Sequence, residues 1–351
     1  MTNHPVAKGG NTMKQKSQDS VQTLAGRGAA SKEQLLQLLY DMILVRRFEE
    51  KVAEMYTRAK IGGFVHLNIG EEATVVGSVS ALEARDYLYT SYRDHGYAIV
   101  RGIDPKAVMA ELFGKATGCS KGRGGSMHLF DAKVHFMGGY AIVGGLIPIA
   151  TGTALATVYR NGDEATMCIF GEGATNIGAF HEGLNVAKLW KLPVVFVTTN
   201  NQYGMGTAVN RASAVSEIYR KACAYDMAAE RVDGMDVLAV RDACLQALER
   251  ARKEREPTLI ETLTYRFRGH SMADPARYRT DEEVQRWRER DPISLLERKM
   301  RDAGMLTQED IDETEAAVDR VVAEAVEYAE LSPAPSLDDL YKHVYVESEG
   351  K

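Results

Sequence analysis

Residues 166–201 constrain the fold of this chain more than any other stretch. An apolar run over 166–170 ends at the turn Gly171-Glu172-Gly173, a helical segment follows over 176–189, and Pro193 introduces a second apolar run over 194–199 that stops at Asn200-Asn201. Short unbroken apolar runs read as strands buried on both faces, the habit of parallel sheets. A strand, helix, strand unit pairs its strands in parallel and brings both strand ends to one edge of the sheet. A helix expected over 237–255 and a strand over 258–263 repeat the alternation. The predicted fold class is α/β, a doubly wound, mainly parallel sheet flanked by helices.

The rest of the chain supplies the periphery. Leu35, Leu38, Leu39, Met42, Ile43, Val45 and Phe48 keep a helical spacing, and Ser31 stands ready as N-cap for one long helix over 31–60. Further helices are expected over 71–82 and over 105–113, the latter with Asp104 as cap and Pro105 in its first turn. The glycine-dense stretch 114–145 interrupts regular structure, and a loop of that length inside a compact domain is more often functional than incidental. Beyond Asp281 the pattern is polar and helical, with a periodic helix over 307–331 and no internal repeat. The elements are read as one α/β domain over 31–351 with peripheral N- and C-terminal helices. A disordered tail at 1–30, rich in Gly, Ser, Asn, Gln and Lys, precedes it.

The turn at 171–173 can hold a diphosphate. Glycines let the backbone approach phosphate oxygens, free amides at a helix start favour negative charge, and a carboxylate in the turn can hold the accompanying divalent cation. Magnesium takes about six hard oxygens, one or two from carboxylates and the rest from amides, phosphate and water. Asn201, 29 residues after Glu172 at the end of the next strand, offers a side-chain oxygen, and the Tyr203 carbonyl a third. Joined in this way, the Gly-acid-Gly turn and the Asn-Asn strand end resemble the thiamine diphosphate motif, which more often carries Asp where Glu172 stands. Competing phosphate motifs fail: no GxxxxGK[ST] occurs, and Gly171, Gly173 and Gly178 miss the dinucleotide fingerprint by two positions.

Composition narrows the alternatives. With 45% hydrophobic and 26% charged residues and a net charge of −6, the chain is an ordinary soluble globular protein, and nucleic acid is not an expected partner. Arg286, Arg288 and Arg290 are interleaved with Glu289 and Asp291, as on a solvated helix face. Four dispersed cysteines form no CxxC pair and suit a reducing compartment. The longest apolar stretch, 141–158, is broken by Gly144, Gly145, Pro148 and Gly152, so no membrane span is expected. The first thirty residues lack the apolar core of a secretory signal, so the bacterial cytoplasm is expected rather than the mitochondrial matrix.

Five ordered segments widen the resemblance to nearly the whole chain: Gly63-Phe64-Val65-His66-Leu67, Ser91-Tyr92-Arg93-Asp94-His95-Gly96, Lys121 to His128, Tyr203-Gly204-Met205-Gly206-Thr207, and Tyr265 to Pro275. From about Tyr40 to Tyr345 the chain is similar to alpha subunits of thiamine-diphosphate-dependent 2-oxoacid dehydrogenases, the pyruvate-decarboxylating group above all. The resemblance implies oxidative decarboxylation of pyruvate, with the acetyl group passed to a lipoyl-bearing dihydrolipoamide acetyltransferase. It also implies thiamine diphosphate and Mg2+ as cofactors and a beta chain completing an alpha2-beta2 assembly and supplying the carboxylate that activates the aminopyrimidine. It assigns Glu172, Asn201 and Tyr203 to the metal and Tyr92, Arg93, Gly173, Ala174, Arg266 and His270 to the diphosphate side. Backbone groups of Ala141 and Val143 go to the aminopyrimidine, and His66 and His270 to the substrate side as catalytic residues. Branched-chain 2-oxoacid and acetoin enzymes share this motif, and a non-catalytic scaffold subunit is the reading from another class. For Arg93 the plain alternative is an ion pair with Asp94 or Asp86; for His95, His128, His135 and His181 it is a structural donor. Ser271 matches a position that regulatory kinases modify in relatives, but Ala208 and the shortened Arg277-Tyr278 stretch lack the companion serines, which argues against that regulation here.

Overall fold

The computed structural model describes residues 30–342 and 344; the expected tail lies outside these except for Ala30. Six strands form one sheet: β1 (Tyr87–Ser91), β2 (Phe136–Tyr140), β3 (Thr166–Gly171), β4 (Val194–Asn200), β7 (Ala228–Asp233) and β8 (Thr258–Leu263). Their order is β2-β1-β3-β4-β8-β7, and every neighbouring pair is parallel. The remaining strands, β5 (Tyr203–Gly204) and β6 (Thr207–Ala208), make a small antiparallel hairpin just beyond β4. Along β3 and β4 alternate residues feed opposite faces, as the two-residue strand period demands. Met167, Ile169, Val195 and Val197 join the core cluster that holds Val240, Ala243 and Leu248 of the helix Val237–Glu254, while Cys168, Phe170, Val194 and Phe196 join Leu146, Phe180 and Leu184 on the other side. Burying a side chain such as Phe196 completely contributes about 1.5–3 kcal/mol, which is why 167–170 and 194–197 carry no polar break.

The sequence expectations hold for the elements with strong local grammar. Ser31 caps Lys32–Thr57 in a capping box with Gln34, Asp104 accepts from the Lys106 amide ahead of Pro105–Leu112, and Thr307 caps Gln308–Leu331. Three strands of the main sheet, and the hairpin β5-β6, were not expected. β1 and β2 are short, and β2 carries Gly138 and Gly139 within the glycine-dense stretch, where a strand would not be read; β7 is an edge strand and only partly buried. The helix placed over 176–189 begins later, at Gly178. A 3-10 turn, Glu172–Asn176, fills the gap, closed by the Thr175 hydroxyl donating to the Glu172 carbonyl (2.7 Å) and by Lys221 Nζ donating to Thr175 and Asn176. Amides aimed at an anion here belong to that turn, not to the α-helix itself.

β1 lies between β2 and β3, so successive connections leave it in opposite directions and open a crevice at the carboxyl ends of the strands. The residues singled out by sequence sit at that edge: Tyr92 and Arg93 after β1, Ala141 and Val143 after β2, Glu172 to Ala174 after β3, Asn201 after β4 and Arg266 after β8.

Candidate cofactor and metal site

The crevice is a cavity of about 220 Å³ whose walls include Tyr92, Arg93, Val143, Glu172, Gly173, Ala174, Asn201, Tyr203, Arg266 and His270. Ala141 and His66 are not in the wall. His66 stands behind it, its ring 4.4 Å from Tyr92 and 5.1 Å from His270, centre to centre.

Glu172 is buried, and its Oε1 has no hydrogen-bond partner. Burial pushes its carboxyl up to about 7, against the pull of backbone amides and of Arg266. A buried carboxylate oxygen without a donor is costly unless something positive meets it. Asn201 Oδ1 and the Tyr203 carbonyl already face a cation: Arg266 Nη1 donates to them at 3.1 and 3.2 Å. The guanidinium is nearly inaccessible to solvent and also bonds Tyr278 Oη (3.1 Å) and the Arg268 carbonyl (3.2 Å). Asn201 Oδ1 and the Tyr203 carbonyl therefore share one positively charged partner, Glu172 lies in the wall of the same cavity, and an all-oxygen set of this kind suits a hard divalent cation. The two asparagines divide their labour. Asn200 turns away, donating to Glu261 (2.6 Å) and accepting from the Gln202 amide (3.2 Å), and only Asn201 faces the cavity.

Arg93 pairs with neither Asp86 nor Asp94. Asp86 is taken by Arg252, and Asp94 Oδ2 accepts from the Leu129 amide. Arg93 is instead buried, donating to the carbonyls of Leu67 (2.7 Å) and His270 (3.0 Å), with Glu71 Oε2 at 3.8 Å from Nε. It thus ties the segment preceding the second helix to the loop after β8. In that loop Asp274 accepts from the His270 amide (2.6 Å) and from Tyr278 Oη (2.7 Å).

His66 and His270 are held neutral. Burial, then the charge of Arg93, lowers His66 to about 2 and His270 to about 4, and Nδ1 of each is buried without a partner. His95 behaves as a structural donor: fully buried, it binds Glu49 through Nδ1 (2.9 Å) and Ser126 Oγ through Nε2 (2.8 Å). Sequence reasoning missed Glu71 and Asn68, which line the same cavity. The only available signal was the pair Glu71-Glu72 directly before a helix with no polar face, where one acid would ordinarily cap and the other stay solvated.

The sequence profile of the dehydrogenase E1 component family matches residues 40–338, and the chain belongs to that family. Among its relatives are proteins named pyruvate dehydrogenase E1 component subunit alpha. That of Porphyra purpurea is 45% identical over 91% of this chain and 94% of its own length. The protein of Rhizobium meliloti (strain 1021) is 44% identical over 90% of both chains, and that of Rickettsia bellii (strain RML369-C) 43% identical over 92% of this chain and 98% of its own.

Proposed function

We propose that this chain is the alpha subunit of a pyruvate dehydrogenase, decarboxylating pyruvate with thiamine diphosphate and Mg2+ and handing the acetyl group to a lipoyl-bearing acetyltransferase. The observation that carries the reading is the convergence of Glu172, the Asn201 amide oxygen and the Tyr203 carbonyl at the end of two adjacent parallel strands, beside a glycine turn. Relatives that carry the pyruvate enzyme's name match over nine tenths of the chain and support the choice of substrate. In this reading the three oxygens hold Mg2+. Tyr92, Arg93, Gly173, Ala174, Arg266 and His270 hold the diphosphate, and backbone groups near Ala141 and Val143 meet the aminopyrimidine. When bound, thiamine diphosphate supplies the electron sink for loss of carbon dioxide from a 2-oxoacid. His66 and His270, uncharged imidazoles with free Nδ1 atoms, offer a donor or acceptor to the substrate without bringing a fixed charge.

The site reads as one half of a larger one. Among the described residues both carboxylates lining the cavity, Glu71 and Glu172, are committed on the diphosphate side, and none remains for the aminopyrimidine. Val143 in the cavity wall and its neighbour Ile142 are exposed apolar groups of the kind an interface covers. Both facts support a beta subunit in an alpha2-beta2 tetramer. A cytoplasmic setting in a bacterium fits the matched Rhizobium and Rickettsia proteins, and among the described residues no helix is long and apolar enough to cross a membrane.

The test is to assay this chain alone and after assembly with its beta partner for decarboxylation of pyruvate and of a branched 2-oxoacid and, separately, for carbon–carbon cleavage of acetoin. Turnover only in the assembly, fastest with pyruvate, is expected. Full activity of the isolated chain would overturn the half-site, and preference for either other substrate would overturn pyruvate. A scaffold subunit would show no magnesium-dependent uptake of thiamine diphosphate in the same assembly.

A further inference from the structure

We infer that Glu71 is a positioning residue that fixes which way the Asn201 amide points, and so determines whether the site presents an oxygen or an NH2 group to its cation. This rests on the metal reading above and extends it to a residue outside the three proposed ligands.

Glu71 stands immediately before the helix Glu72–Val79 at the position where a side chain normally caps, yet its carboxylate makes no cap bond. It is fully buried and reaches across the cavity floor instead. Oε1 accepts from Asn201 Nδ2 at 2.7 Å, and Oε2 accepts from Asn68 Nδ2 at 3.3 Å with Arg93 Nε at 3.8 Å. Its main chain is anchored as well. The Glu71 amide donates to the Asn68 carbonyl (2.8 Å), the Asn68 amide donates to Glu49 (3.0 Å), and the Gly96 amide donates to Asn68 Oδ1 (3.3 Å). The acceptor that meets Asn201 is therefore held by groups from three segments before any ligand arrives.

A primary amide is nearly symmetric in shape, and its two orientations differ mainly in where the donor and acceptor fall. At Asn201 the carboxylate of Glu71 lies on one side and the guanidinium of Arg266 on the other, at 2.7 and 3.1 Å. Rotating the amide by half a turn would set NH2 against the guanidinium and oxygen against the carboxylate, two repulsions in a dry site. Glu71 thus leaves one orientation, with Oδ1 toward the cation locus. Groups that orient metal ligands from behind typically change metal affinity about 10- to 100-fold when removed. The bland reading is that Glu71 only neutralises Arg93, but its shorter contact is the one to Asn201.

The experiment measures the dissociation constant of Mn2+, by the electron paramagnetic resonance of the free ion, in the assembled enzyme saturated with thiamine diphosphate. Glu71→Met should weaken Mn2+ about 10- to 100-fold. Glu71→Gln keeps the shape but leaves one acceptor oxygen to be shared among Asn201, Asn68 and Arg93, so a loss of roughly threefold or more is expected. In an Asn201→Ala background, where no amide remains to orient, either change should have under about twofold effect, because non-additivity marks residues that act through one another. An unchanged constant in the Gln variant would overturn the proposal, as would equal losses with and without Asn201, which would show Glu71 acting by charge or folding alone. Should the Met variant fail to assemble, the Gln variant and its pairing with Asn201→Ala decide. Failure of the unaltered enzyme to bind Mn2+ would instead defeat the metal reading on which the inference stands.

Discussion

Replacing Arg93 by lysine should cost both stability and cofactor affinity, and the size of each follows from what the guanidinium holds. It donates to a buried carbonyl, Leu67 at 2.7 Å, and a part-buried one, His270 at 3.0 Å, from separate nitrogens. A lysine ammonium keeps the charge but is a point donor on a flexible stem and cannot span both oxygens. One charge-assisted bond is then lost, worth about 1.5–3 kcal/mol. The Arg93→Met change also strips Glu71 of its ion-pair partner and should cost about 3–5 kcal/mol, the usual penalty for leaving one buried charge without its counterpart. The loop bearing His270 and Asp274 is fastened to the floor of the site through that same His270 carbonyl. Its release should weaken thiamine diphosphate by about tenfold in the lysine variant, since tenfold corresponds to about 1.4 kcal/mol. Titration calorimetry of the assembled enzyme gives the affinity, and thermal unfolding at fixed protein concentration gives the stability order. A lysine variant with unaltered melting temperature and unaltered cofactor affinity would show that Arg93 is not the tie described here.

Glu111 should prove a keystone of the glycine-dense stretch. Its carboxylate accepts from the amides of Ser120, Gly122, Gly124 and Gly125 at 2.7–3.1 Å, so Glu111→Gln, with one acceptor oxygen, should lose about 3 kcal/mol or more in denaturant titrations. Gly70→Ala should prevent folding, because a Cβ there would lie 2.3 Å from the Tyr265 carbonyl on a backbone with φ of +101°; soluble yield and circular dichroism would show it. His270, lowered to about 4 by burial, binds its proton more readily unfolded than folded between about pH 4 and the ordinary imidazole value of 6.5. Its contribution therefore costs nothing above that value and destabilises increasingly as pH falls through the window. The melting temperature of the unaltered enzyme should accordingly drop relative to His270→Gln between pH 6.5 and 4, and parallel pH curves would contradict it.

What could be read from sequence alone follows the strength of the local signal. β3 and β4 carry the unbroken apolar stretches 167–170 and 194–197 because a parallel strand at the centre of a sheet is covered on both faces, β8 follows them in the alternation of strand and helix, and Ser31, Asp104 and Thr307 announce their helices by capping chemistry that acts within four residues. β2 was hidden because Gly138 and Gly139 give it no side-chain pattern, and Gly139 leaves room that Asp94 fills. That Glu172 and Asn201 would line one cavity was legible because the ends of adjacent parallel strands lie side by side at one edge of the sheet. Arg93 was legible as a residue but not in its partners, which come from 26 and 177 positions away. Glu71 left only the weak signal of an acidic pair: a carboxylate at a helix start looks solvated until the packing of Asn68, Arg93 and Asn201 around it is known.

The central claim is that Glu172, Asn201 and Tyr203 give their oxygens to a single ion. The most direct check is an anomalous difference map from crystals of the alpha-beta assembly grown with Mn2+ and thiamine diphosphate. The account predicts one peak within about 2.3 Å of a Glu172 carboxylate oxygen, Asn201 Oδ1 and the Tyr203 carbonyl, with the Arg266 guanidinium moved off the latter two toward the diphosphate. A map with the ion elsewhere, or with Arg266 still bridging Asn201 and Tyr203 while the diphosphate is bound, would contradict it.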